Sequence, residues 1–206
     1  MISWAYEQVG VATGLIYGPY HYTDVLGVKV GHVPVLIPLA WFMMIYPSYV
    51  IANLIADDQP SGSRGSIGRI VWVSFLSAAV MTAWDLVVDP VLSGPAVKAW
   101  IWEQGGPYFG IPVQNYAGWM LTTFTVYLIY RLYERKVQGK PVGPVTTAIA
   151  AMPLVAYGSI MISNSLASGP EALHVIGPFV MGLPLIAAIT RLGNYRNRVN
   201  DEAKNP

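Results

Sequence analysis

Residues 67–90 read IGRIVWVSFLSAAVMTAWDLVVDP, and no charged side chain stands between Arg69 and Asp85. A helix over 67–88 would extend about 33 Å, enough to cross the hydrocarbon core of a bilayer. Working outward, four more stretches share this character, at 33–56, 112–132, 145–166 and 173–192. The opening stretch 2–17 is apolar but short, and Glu7 interrupts it. It is expected to be a helix that enters the fold without crossing fully. The fold class is therefore all-α, a polytopic transmembrane helix bundle. Five spanning helices and a short amino-terminal helical segment form a single integral membrane domain over 1–206.

Composition agrees. Apolar residues make up 54% of the chain and charged ones 11%, against roughly 25% charged in soluble domains. A net charge of +1 offers no electrostatic case for nucleic acid. Cysteine is absent, so thiol chemistry is excluded. The amino terminus lacks the basic region of a signal peptide.

The basic residues set the orientation. Arg64 and Arg69 fall in the first loop, Arg131, Arg135, Lys136 and Lys140 in the third, and Arg191, Arg196, Arg198 and Lys204 after the last helix. The alternate loops hold only Lys29 and Lys98. Basic loops face the cytoplasm, so a cell-membrane, multi-pass protein with a cytoplasmic carboxy terminus is expected. The remaining ionisable residues, His21, Asp24, His32, Asp85, Asp89, Glu103, Glu171 and His174, fall at the other side. Such groups near bilayer depth are costly and mark working sites, although outer loops also need polar residues.

Several chemistries lack their residues. No lysine lies within an expected span to carry a retinal Schiff base. Three histidines in loops do not supply paired haem ligands or a di-iron cluster. No glycine-rich dinucleotide fingerprint follows a strand. No cofactor is expected. Carboxylates, amides, hydroxyls and aromatics remain, an inventory suited to acid–base chemistry on an apolar substrate.

Asp85 and Asp89 are one helical turn apart and project from one face. Ser74, Ala78, Met81 and Thr82 continue that stripe. Asn115, Gly118, Thr122 and Thr125 form another on the third span, with Asn115 at the depth of the aspartates, and Ser159 and Ser163 a third on the fourth. Small and polar residues also serve as helix–helix contacts, and Asp89 before Pro90 also fits a solvated helix end. Aromatics crowd the same surface: Tyr17, Tyr20, Tyr22, Trp84, Trp100, Trp102, Tyr108, Phe109, Tyr116 and Trp119. Interfacial belts use the same residues, but ring faces also stabilise cations. Pro34, Pro38, Pro47, Pro112, Pro153, Pro178 and Pro184 imply kinks that open pockets between helices.

Five blocks carry a family resemblance: Glu7-x-x-Gly10-x-x-Thr13-Gly14, Tyr20-x-Tyr22-Thr23, Val33-Pro34 through Pro38-x-Ala40-Trp41, Ala83-Trp84-Asp85-Leu86-x-x-Asp89-Pro90, and Tyr108-Phe109-Gly110-Ile111-Pro112-x-x-Asn115-x-x-Gly118-Trp119. Together they resemble the carotenoid-biosynthesis hydratase family, of the γ-carotene 1′,2′-hydratase and bisanhydrobacterioruberin hydratase type. The resemblance runs from about Trp4 to Tyr130. Family members carry further membrane helices before the Glu-x-x-Gly segment, where this chain has Met1 almost adjoining it.

The resemblance implies a hydro-lyase that adds water to a terminal double bond of an acyclic carotenoid end group. An acid protonates the alkene, charge develops at the tertiary carbon, and water captures it. Such an acid must be held protonated by burial. Asp85 is the expected acid, with Asp89 activating the water, Asn115 holding it, and Glu7 able to exchange roles with either aspartate. Trp84, Tyr108, Phe109, Tyr20 and Trp119 are expected to line the substrate. Expected partners are a carotenoid or other long apolar polyene, membrane lipid, and a second copy or other carotenoid-pathway membrane enzymes. Two other readings remain open. One is a carotenoid- or lipid-binding scaffold or complex subunit. The other is a prenyltransferase-like enzyme holding Mg²⁺ at Asp85-x-x-x-Asp89, although Asp57-Asp58 lies on the opposite side and cannot complete that site.

Overall fold

The computed structural model describes residues 2–63, 65–137 and 145–204. Arg64 and Lys140, and the Lys204 side chain, lie outside what is described. The chain is a bundle of helices with two short β-ribbons at one end. α1 is Ile2–Thr13, and its 12 residues reach only about 18 Å, so it enters the fold without crossing it. α2 is Leu36–Asp57, α3 Ile67–Leu92, α4 Val113–Val137 and α5 Thr147–Leu166. The last apolar stretch breaks at Met181 into α6, Leu173–Val180, and α7, Gly182–Lys204.

Four segments are long and apolar enough to cross a membrane: α2, α3, α5, and Leu173–Asp201. They are four of the five expected spans. The other is α4, 25 residues long but less apolar, with Arg131, Glu134, Arg135 and Lys136 in its last two turns. Ser66 caps α3 by accepting the Arg69 backbone N–H, and Thr146 caps α5 by accepting that of Ile149. α3 is the axis of the bundle. It packs against α2, α4, α5 and α6, so its polar residues face protein rather than lipid.

Two sequence expectations are corrected here. Arg131 is not a loop residue. It is buried in α4, where Nη1 donates to Asn53 Oδ1 at 2.6 Å and Nη2 to Ser77 Oγ at 2.9 Å, with its guanidinium 4.5 Å from the Tyr49 ring centre. Those neutral partners let a charged group sit inside the bundle. Nor does α3 end at Asp89. It continues through Pro90 to Leu92. Pro90 has no N–H for the Leu86 carbonyl one turn back. The Tyr108 hydroxyl donates to that carbonyl at 2.8 Å instead, which is how the helix tolerates the proline.

The expected loops hold the ribbons. β1, Tyr20–Tyr22, pairs antiparallel with β4, Trp100–Trp102, with Tyr20 opposite Trp102 and Tyr22 opposite Trp100. Strand side chains alternate faces, so these four rings point into the bundle while His21 and Ile101 point out. Outside, His21 Nδ1 lies 3.2 Å from Glu103 Oε1. β2, Lys29–Val30, pairs with β3, Val33–Pro34. At Tyr108–Ile111 the chain turns tightly through Phe109 at φ 51° and Gly110 at φ 85°, and Ile111 N–H bonds back to Tyr108 O at 2.9 Å.

At the opposite end, Asp57 bonds Arg69, and Tyr49 donates to the Glu134 carboxylate at 2.8 Å. The carboxylate pair Asp85 and Asp89 sits at the ribbon end of α3, remote from Asp57 at the far end of α2.

Candidate active site

Beneath the ribbons lies a cavity of about 310 Å³, walled by all three of the bundle's long central helices, α2 to α4, together with α1, α5 and the β1–β4 ribbon. Its lining includes Glu7, Asp85, Asp89 and Asn115, and the rings of Tyr17, Tyr20, Tyr22, Trp41, Trp84, Trp100, Trp102 and Trp119. The rest of the lining is mostly apolar, with Ser163 and Asn164 contributed by α5.

One wall carries the aspartates. One turn separates Asp85 and Asp89 on α3, and α4 packs against that face. Its first turn therefore brings Asn115 between them, with Nδ2 2.8 Å from Asp85 Oδ2 and 2.8 Å from Asp89 Oδ2. The other Asp89 oxygen accepts the indole N–H groups of Trp100 at 2.7 Å and Trp102 at 3.2 Å. Asp89 thus accepts three N–H bonds and Asp85 one. Both carboxyls are almost wholly buried.

The facing wall carries Glu7. α1 is too short to cross, which brings its middle under the ribbon. There Glu7 Oε2 accepts from Tyr20 at 2.5 Å and Tyr22 at 2.9 Å, and Oε1 from Trp41 Nε1 at 3.0 Å. Burial raises the Glu7 carboxyl above its ordinary range, and these three hydrogen bonds pull it back. Burial is the larger effect, and the three donors offset it only in part.

Tryptophans form the floor. Trp41 stacks on Trp119 at 4.2 Å between ring centres, with 8° between planes, and Trp84 meets Trp119 edge-on at 5.8 Å. Trp84 Nε1 is buried with no hydrogen-bond partner among the described residues.

Of the residues singled out in the sequence, Glu7, Tyr20, Trp84, Asp85, Asp89, Asn115 and Trp119 meet at this cavity. Tyr108 and Phe109 do not. Tyr108 is engaged on the Leu86 carbonyl, and Phe109 sits exposed in its turn because a positive φ aims it away from the helices. Nor is Asn115 placed to hold water by N–H groups, since its amide nitrogen faces both aspartates. The α4 stripe divides: Asn115 faces α3, while Thr122 and Thr125 bond Tyr17 at 2.8 Å and Tyr6 at 3.3 Å. Ser74 bonds its own helix at Ile70 O, and Ser159 is exposed, so neither joins a common polar interior.

In the sequence Tyr17, Tyr22, Trp100 and Trp102 read only as part of the aromatic crowd at this surface, and Trp41 only within a family motif; none is assigned to the site there. The period-two patterns Tyr20-His21-Tyr22 and Trp100-Ile101-Trp102 signal strands with inward rings, but nothing local shows that these two strands pair.

Among the described residues, no group of three or more His, Cys, Asp or Glu is placed to hold a metal ion. The site is thus a ring-lined chamber with acids on two walls, inside a helical membrane protein. The chain belongs to the carotenoid biosynthesis protein family, whose pattern matches residues 1–189. It is 32% identical over 131 residues to the bisanhydrobacterioruberin hydratase of Haloarcula japonica, an alignment covering 63% of this chain and 41% of that relative. The chain thus spans less than half the length of this relative. No solved structure matches it significantly. The resemblance read from the motifs is confirmed at the level of the family.

Proposed function

We propose that this chain hydrates a terminal carbon–carbon double bond of an acyclic carotenoid. One observation carries the reading: Asp85, buried in an apolar helix, opens onto a cavity whose floor is tryptophan and whose far wall is Glu7. The family membership and the hydratase relative support the same chemistry.

The donor pattern divides the roles. Three N–H donors suit Asp89 as an anion, and Asp85, with one, is the natural holder of a proton shared by the pair. Asp85 transfers that proton to the less substituted alkene carbon. The π pair forms the new C–H bond, and positive charge develops at the tertiary carbon. The faces of Trp41, Trp84 and Trp119 and the Glu7 carboxylate stabilise this charge in surroundings where water does not screen it. A water oxygen then bonds to the cation, and the proton it sheds returns to the aspartate pair, leaving a tertiary alcohol and the starting enzyme. Buried, prearranged acids and rings also discourage the competing loss of a proton from the cation.

The distribution of basic residues supports an orientation in which the ribbon end, and with it the cavity, faces the outer side of the cell membrane, α4 makes a fifth crossing and the carboxy terminus is cytoplasmic. The test is expression in cells that accumulate an acyclic carotene, followed by mass spectrometry of the pigments. A mass gain of one water per reacted end supports the hydratase. Unchanged pigment across several acyclic carotenes, with pigment co-purifying, would instead show a binding scaffold.

A further inference from the structure

The cavity walls differ in how they meet the outside. At the ribbon end Tyr20, Tyr22, Trp100 and Trp102 pack side by side and bond Glu7 and Asp89, which leaves no opening there wide enough for a polyene. Toward the other end, α2 is buried continuously from Pro47 to Leu54, and α5 buries Pro153, Leu154 and Tyr157. Nearer the ribbons the continuous burial of α2 breaks up, with Leu36, Leu39, Phe42 and Met43 exposed. The exposed lining residues are Leu36, Met43 and Ser163, all on the ribbon-end halves of α2 and α5. The same lining includes the small side chains Ala40 on α2 and Ser163 on α5, and the two helices pack against each other. The outer faces flanking this opening are apolar, with Leu39 on α2 and Ile162 on α5 exposed. In a spanning helix such faces meet lipid rather than water.

The volume sets a second bound. About 310 Å³ is at the small end of the ~300–1,000 Å³ range of ligand pockets. It suits the end of a long polyene but not the whole of it.

We infer that the polyene end group enters the cavity sideways, from the lipid, through a slot between the ribbon-end halves of α2 and α5. Ala40 and Ser163 keep the slot open, and the rest of the polyene stays outside among the lipid chains. The identity of the occupant rests on the proposed hydratase reading. The slot itself rests on which lining residues are exposed.

The chain contains no cysteine, so the slot can be closed and reopened chemically. The double variant Ala40→Cys, Ser163→Cys is reconstituted in vesicles loaded with an acyclic carotene and bridged with a short thiol-reactive disulfide linker. Complete bridging is confirmed by mass spectrometry. Two quantities are read on the same molecules before bridging, after it, and after reduction: hydrated product, and carotene uptake, followed by quenching of the cavity tryptophans. A second pair, Leu36→Cys with Asn164→Cys, spans the same slot. A control pair, Phe42→Cys with Ile129→Cys, spans a different groove on the far side of α2. Loss of uptake and product on bridging either slot pair, restored by reduction and absent in the control pair, is the expected result. Uptake that persists in fully bridged molecules overturns the slot. Uptake by the unaltered chain without any hydrated product overturns the hydratase reading and leaves the slot to be judged on uptake alone. No uptake by the unaltered chain overturns both.

Discussion

Asp85 and Asp89, one turn apart on α3, accept hydrogen bonds from a single side-chain amide, each with an oxygen 2.8 Å from Asn115 Nδ2. Two buried carboxyls this close cannot both ionise at low cost, so a common proton is the expected state. The rest of the site follows from which of the two gives that proton up.

Replacing the donor is the most direct check. Asp85→Asn keeps the shape and the hydrogen-bonding capacity but removes the transferable proton. Hydration should fall by about 10²–10⁴-fold, the contribution of a positioned general acid. Carotene uptake should persist, as measured by pigment retained on the purified protein. An unchanged product yield would remove Asp85 from the chemistry.

The indoles on Asp89 are expected to act through it. Trp100→Phe removes a donor at 2.7 Å and Trp102→Phe one at 3.2 Å, so the first should cost more. Hydrogen bonds to a charged group contribute about 1.5–3 kcal/mol, which corresponds to a drop of about 10- to 100-fold in kcat for Trp100→Phe. KM should change little. Equal effects of the two variants would contradict the assignment.

Tyr108 separates a structural role from a catalytic one. Tyr108→Phe strands the Leu86 carbonyl freed by Pro90, at a cost of about 1–3 kcal/mol in stability. Thermal unfolding in detergent should show the loss while turnover per folded molecule stays near the parent value. A drop in turnover with unaltered unfolding would return Tyr108 to the cation wall.

Packing at α1 gives a check on stability. The Tyr17 ring lies between Gly10 on α1 and Gly118 on α4. A Cβ would fall 2.5 Å from Tyr17 Cδ2 at Gly10, and 2.5 Å from Ile16 O at Gly118. Gly118→Ala should therefore destabilise by about 1–3 kcal/mol, since the neighbour is backbone and cannot swing away. A melting temperature equal to that of the parent would show that α1 is not seated as described.

A chelator discriminates the magnesium alternative. Asp89 directs both oxygens, and Asp85 one, at N–H donors, which leaves fewer lone pairs for a cation. Hydration should survive a strong chelator unchanged. Loss of activity, restored by Mg²⁺, would favour diphosphate chemistry.

Much of this was legible in one dimension. Apolar runs of spanning length define the helices, because a backbone in lipid must bond to itself. The turn spacing of Asp85 and Asp89 follows from helix geometry alone, and Asn115 from the first turn of the next helix. What was not legible is pairing across distance. Arg131 reads as a loop cation, yet Asn53 and Ser77, on two other helices, make its burial possible. Tyr108 reads as a ring for the substrate until Pro90 is seen to free the carbonyl that the Tyr108 hydroxyl fills.

The sequence by itself determined that this is a helical membrane protein, its family, and which carboxylates share a helix face, since each depends on local period, length or motif. Only the tertiary structure decided that Tyr20-His21-Tyr22 lies against Trp100-Ile101-Trp102, that Glu7 and Asp85 line one cavity, and that exposed residues of α2 and α5 join its lining. Those are contacts between segments far apart in the chain, set by how whole helices pack, and no local pattern of residues encodes them.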